Sequence, residues 1–174
     1  MEGRGLIQIY TGDGKGKTTA AFGQALRAAG QGLKVFIIQF LKGEGESGER
    51  TALKGNPLIQ IETFGRKGWV TRDRPDPEDK KWVQKGLARA LEVMKEGRVD
   101  LLILDEVNVA VAYGLLRIEE VLDLSDQKPA GMELILTGRE AHPQTLERAD
   151  LVTEMKQVKH PAERGVKARR GIEY

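Results

Sequence analysis

The sequence contains no cysteine. Disulfides, thiolate zinc sites and cysteine nucleophiles are thereby excluded, and a reducing compartment, the cytoplasm, is the expectation. Only two histidines are present, His142 and His160. They are too far apart in sequence for a recognisable metal motif, and no Ser-His-Asp pattern is visible. Long hydrophobic runs are missing too. None approaches the roughly 20 residues needed to span a bilayer, and residues 1–5 lack the apolar stretch of a secretory signal, so no membrane association is expected. Proline- or serine-rich tracts, blocks of like charge, internal repeats and linkers are also absent. The 174 residues therefore read as one globular domain, 1–174. Net charge is only +2, which does not favour nucleic acid as a partner. Its distribution is uneven. Residues 156–174 carry six basic side chains (Lys156, Lys159, Arg164, Lys167, Arg169 and Arg170) against Glu163 and Glu173, a basic C-terminal tail of +4 that leaves −2 on residues 1–155.

What is present is an alternation of apolar runs and amphipathic stretches. Leu6 to Tyr10, Val35 to Phe40, Leu58 to Phe64, Leu101 to Leu104 and Glu133 to Leu136 read as strands, with Leu151-Val152 near the end. Between them, Lys17 to Ala29 reads as a helix with Ala21, Phe22, Ala25, Leu26, Ala28 and Ala29 on one face, and Gly30 as its left-handed cap. Asp76-Pro77-Glu78-Asp79 supplies a cap residue, a first-turn proline and early acids for a second helix ending near Gly97. Short helices are expected over Glu119 to Leu124 and Pro143 to Arg148. Strands alternating with helices predict an α/β fold with a mostly parallel central sheet, helices on both faces and ligands at the carboxyl ends of the strands.

The first strand runs into Thr11-Gly12-Asp13-Gly14-Lys15-Gly16-Lys17-Thr18. Glycines let backbone N–H groups converge on phosphate oxygens, the helix that follows offers its positive end, Lys17 supplies a point charge and Thr18 can ligate Mg²⁺. Thr11 stands where the general G-x-x-x-x-G-K-[ST] pattern has its first glycine. Downstream, Leu101 to Leu104 ends in Asp105-Glu106, the usual presentation of a Mg²⁺-organising carboxylate beside a phosphate loop. Trp69, in the polar loop 66–71, either covers a flat ligand or folds back onto the core.

These segments together resemble the P-loop ATP:corrinoid adenosyltransferases. The resemblance rests on Tyr10 to Gly23, Gln39-Phe40-Leu41-Lys42-Gly43, Gly48-Glu49-Arg50, Leu104 to Val107 with Val111-Ala112-Tyr113, Thr137-Gly138-Arg139 and Val158-Lys159-His160. It extends to the ending Gly165 to Ala168 with Gly171-Ile172-Glu173-Tyr174. It implies a RecA-like P-loop NTPase fold, a homodimer, and transfer of the 5′-deoxyadenosyl group of ATP to the reduced cobalt of a corrinoid, releasing triphosphate. It also implies a flavoprotein reductant, since nothing in the chain looks able to bind a flavin. Cobalt(I) is then the nucleophile, so no protein nucleophile is required.

By the same resemblance ATP is held by Thr11, Gly12, Asp13, Gly14, Lys15, Gly16, Lys17, Thr18 and Thr19, in the reverse sense along the loop, and Thr11 fits that reversal. Mg²⁺ falls to Thr18, Asp105 and Glu106, catalysis to Lys17 and Glu106, and corrinoid contacts to Trp69, Arg50 and Arg139. Relatives carry an aromatic pair in the loop; here Trp69 fills the first position and Thr71 stands at the second, so one aromatic is missing. Longer relatives have an N-terminal extension over the corrinoid, so a more open site is expected here. Two other functions fit a phosphate loop: an ATP-hydrolysing RecA-like switch or motor, in which Glu106 orients water, and a non-catalytic ATP- or corrinoid-binding module.

Overall fold

The computed structural model describes residues 3–43, 45, 47–66, 68, 70–72 and 76–173. Six strands, β1 (Ile7–Thr11), β2 (Val35–Phe40), β3 (Ile59–Phe64), β4 (Leu101–Asp105), β5 (Glu133–Thr137) and β6 (Leu151–Glu154), form one sheet. Their order is β3-β2-β4-β5-β1-β6 and every pairing is parallel. Between the strands run α1 (Lys17–Gly30), α2 (Gly48–Leu53), α3 (Pro77–Glu96), α4 (Val107–Ala112), α5 (Ile118–Asp126) and α6 (Pro143–Arg148). Among the described residues no helix is long and apolar enough to cross a membrane.

The period-2 geometry of the strands divides the core in two. Val35, Ile37, Leu101, Ile103 and Ile135 face α1 through Ala21, Phe22, Ala25 and Ala28. Phe36, Ile38, Leu102, Leu104, Leu134 and Leu136 face α3, α4 and α5. Helices on both sides explain why β2 and β4 are buried at every position, as a parallel sheet requires.

Local chemistry sets most element ends. Asp76 caps α3, accepting from Glu78 N, while the Asp79 carboxylate reaches back to Asp76 N, and Gly97 closes the helix at φ 64°. Two expectations for α1 are corrected. Gly30 lies inside the helix, and Gly32 takes the left-handed turn at φ 81°, because Gln31 and Gly32 still donate to Ala28 and Ala29. Leu26 is exposed, since the buried stripe follows the smaller alanines that let α1 approach the sheet. The helices α2 and α4, six residues each, were not expected.

Candidate active site

At the carboxyl end of β1 the chain turns through 12–16 into α1, and two later segments pack against that turn. Met155, just past β6, donates its amide to Thr11 O and accepts from Gly14 N at 2.6 Å. Gly12 has φ 93°, and a Cβ there would lie 2.5 Å from Met155 O, so this turn tolerates no side chain. Thr11 is buried, and its hydroxyl accepts from Ala141 N at 3.3 Å, tying the loop's entry to the β5–α6 connection. Asp13 and Thr19 are exposed. Lys17 is buried and curls over the loop, donating to Gly12 O at 2.6 Å and Gly14 O at 2.7 Å. Burial pushes its ammonium below the usual lysine range, aided by the Arg139 charge and opposed by Glu106 and Asp13.

Asp105 closes β4, one strand removed from β1, with β5 between them. It is fully buried, yet every lone-pair direction is used. Its Oδ1 accepts from Thr18 Oγ1 at 2.9 Å and Thr137 Oγ1 at 2.8 Å; its Oδ2 accepts from Gln39 Nε2 at 2.9 Å and Lys42 Nζ at 2.7 Å. Gln39 is the direct register partner of Asp105 across β2–β4, and Thr137 ends the strand on its other side. Burial alone raises the carboxyl pKa, but the Lys42 charge and the hydrogen bonds from Lys42, Gln39 and Thr137 outweigh it and hold Asp105 below the usual carboxylate range.

Glu106 follows at φ 65°, a left-handed conformation unfavourable for a side chain of this size, and donates its amide to Thr137 Oγ1. Burial, then the Asp105 charge, raises its pKa against the pull of Lys42, Lys17 and Arg139. Two adjacent acids thus sit in opposite states of ease: Asp105 is anchored as an anion, Glu106 is strained in backbone and charge.

The expected phosphate-loop residues, Asp105, Glu106 and Arg139 are brought to this one end of the sheet. Arg139 is exposed beside Lys17 and Glu106, whose ionisation its charge influences. Arg50 opens α2 with its Nε buried and without a hydrogen-bond partner. Trp69 lies outside the described residues. Gln39, Lys42 and Thr137 had been given no chemical role. A glutamine in an otherwise apolar, wholly buried strand was the available signal for the first.

Hard oxygen donors at Thr18 and Asp105 suit Mg²⁺. No group of three or more His, Cys, Asp or Glu able to hold a metal occurs among the described residues, so such an ion would need substrate oxygens to complete its shell. Beside the loop an open cleft of about 370 Å³ is walled by Asp13, Glu140 and Glu154 with Leu146 and Val152.

Residues 3–174 match the family model described as ATP:corrinoid adenosyltransferase BtuR/CobO/CobP. The chain belongs to that family. It is 41% identical over 172 residues to the corrinoid adenosyltransferase of Escherichia coli strain K12, covering 98% of this chain and 86% of that protein. Against the corrinoid adenosyltransferase CobA of Salmonella typhimurium the identity is 39% over 182 residues, covering 100% and 88%. A corrinoid adenosyltransferase of Pseudomonas aeruginosa is 36% identical over 173 residues, covering 98% and 84%. Membership in this adenosyltransferase family brings ATP and a corrinoid as the substrates and adenosyl transfer between them as the activity.

Proposed function

We propose that this site binds the triphosphate of ATP as a leaving group, and that Lys42, Lys17 and Arg139 offset the negative charge that develops on it. The observation that carries this reading is the Asp105 carboxylate. It is saturated by four donors, from the end of β2 and the loop just after it, the end of β5 and α1, so it serves as an anchor for cations and not as a proton acceptor.

In the transfer step the cobalt(I) electron pair forms a bond to C5′ of ATP. The C5′–O5′ bond breaks, and the pair leaves with the triphosphate. No proton moves, so the step requires no general base. Thr18, with Asp105 through water and with Glu106, would hold Mg²⁺, which would supply charge neutralisation on the leaving group. Lys17 would exchange the Gly12 and Gly14 carbonyls for phosphate oxygens, and the loop amides and Lys15 would orient the chain of phosphates. The acidic cleft beside Asp13 disfavours phosphate there.

Arg50, Arg139 and Trp69 remain our candidates for corrinoid contact. A homodimer, a flavoprotein reductant and a cytoplasmic location belong to the same proposal. The test is to incubate the protein with Mg-ATP and chemically reduced corrinoid and identify the products. Adenosylated corrinoid with stoichiometric triphosphate is expected. ADP and phosphate with no cobalt–carbon product would overturn the reading in favour of hydrolysis.

A further inference from the structure

The ending Gly171-Ile172-Glu173 enters none of the chemistry above, although it lies against the phosphate loop. Lys15 Nζ donates to Ile172 O at 2.6 Å and stands 3.6 Å from the Glu173 carboxylate, across 157 residues of sequence. That carboxylate is held in place from behind. Arg169 gives it three hydrogen bonds, from its backbone N at 2.8 Å, Nε at 3.2 Å and Nη2 at 3.0 Å. Ile172 and Glu173 also donate their amides to Arg169 O, closing residues 169–173 into a single turn. The turn therefore offers Lys15 a carbonyl and a carboxylate, two of the ligand types that satisfy an ammonium.

A phosphate-loop lysine occupied by a protein anion is in competition with any phosphate that the loop binds. We infer that Glu173 is a positioning residue that acts through Lys15: the 169–173 turn is an internal counter-anion, displaced when the triphosphate engages the loop and returning to Lys15 to help expel it. This rests on the reading of Lys15 as a triphosphate-side cation.

The Arg169 side-chain and backbone hydrogen bonds bring the Glu173 pKa down to about 2, so the competitor stays charged at every pH at which the enzyme would be assayed. Lys15 and Arg169 are both well exposed. Their pairs are thus weak enough for a polyanion to exchange with, and are screened by salt. Release of triphosphate is the step most in need of such help, because the products differ from ATP by carrying the cleaved chain's full charge on the loop.

The test is the affinity of inorganic tripolyphosphate with Mg²⁺, measured by calorimetry on the full chain, in wild type, Glu173→Gln, Lys15→Met and the double variant. Lys15→Met is expected to weaken binding. Glu173→Gln is expected to tighten it about two- to fivefold at low salt, a gain lost in the Lys15→Met background and at 1 M salt. Glu173→Asp, which keeps the charge, should return binding toward wild type. In turnover Glu173→Gln should lower KM for ATP and strengthen inhibition by tripolyphosphate without raising kcat.

If Lys15→Met weakens binding while Glu173→Gln leaves it unchanged or weaker, the counter-anion is refuted and the loop reading stands. If Lys15→Met has no effect, the role of Lys15 fails and the inference fails with it. Should Glu173→Gln fold poorly, a chain ending at Ala168 removes the whole turn, and equal or weaker tripolyphosphate binding by that chain is likewise refuting.

Discussion

Replacing Lys42 by Met separates the electrostatics of this site from its packing. Removing one partner of a fully buried ion pair destabilises a protein by about 3–5 kcal/mol, because the other charge is left uncompensated. Here two features lower that figure. The Lys42 side chain remains 35% exposed, so water can approach the gap, and Asp105 keeps its bonds from Thr18, Thr137 and Gln39. We expect a loss of about 2 kcal/mol, close to the value of one charge-assisted hydrogen bond. For a chain of this size that lowers Tm by roughly 4–8 °C. The assay is urea unfolding of wild type, Lys42→Met, Asp105→Asn and the double variant. With Asn at 105 the lysine faces an amide and no longer a carboxylate, so its removal should then be near neutral, giving a coupling of about 2 kcal/mol. Asp105 is depressed in the fold, so its contribution is present above the unfolded aspartate pKa of about 3.9 and disappears as pH falls through the lower folded value. The coupling should accordingly be constant from pH 8 to pH 5 and vanish in strong acid. A loss below about 0.5 kcal/mol, or an equal loss in both backgrounds, would refute the reasoning.

Glu106 carries the opposite sign. Its raised pKa means that the stability it contributes is fully present below the unfolded value of about 4.3 and is lost as pH rises through the folded one. Glu106→Gln should therefore be more stable than wild type at pH 7–8, with the gap closing as pH falls toward 4, and less active in adenosyl transfer. Glu106→Gly should add about 1 kcal/mol more by relieving the left-handed backbone, read from the same unfolding curves. Gly12→Ala combines a positive φ with a clash onto Met155 O, and should lose at least about 2 kcal/mol together with ATP binding measured by calorimetry. Far from these groups, Asp76→Ala removes the α3 capping box and should cost about 1 kcal/mol, a fall in Tm of roughly 2–4 °C.

The strands were readable to within a residue or so, because Val35 to Phe40 is apolar but for Gln39 and Leu101 to Leu104 is an unbroken apolar run that ends in Asp105-Glu106 at the functional end of the sheet. The phosphate loop and Asp105-Glu106 were readable for the same reason: their residue types do little else next to a buried strand. Two short helices were not. The first turn of α4 is set by the strained backbone of Glu106 and its Val-Asn-Val-Ala run has no helical signature, while α2 has only six residues in which to show a period. Nor was the shell of Asp105 visible. Gln39 and Lys42 lie 66 and 63 residues away in sequence, and only the β2–β4 register puts them beside it. Met155 and Glu173 belong to the same class, since contacts across more than 140 residues leave no local trace.

The strand order has a consequence for how the molecule is made. β1 and the glycine turn leave the ribosome before the other five strands, but both sheet neighbours of β1 are the last two of the six to be synthesised. Throughout most of translation the nucleotide loop is therefore an unpaired strand followed by a turn with no support from Met155. The β2–β4 half of the sheet can assemble early, whereas the ATP site is closed only when residues 133–155 arrive and insert on either side of the first strand. Such late, long-range pairing is the slow part of folding. A chain lacking β5 and β6 thus exposes β1 as an open edge, ready for the wrong partner, until those two strands cover it.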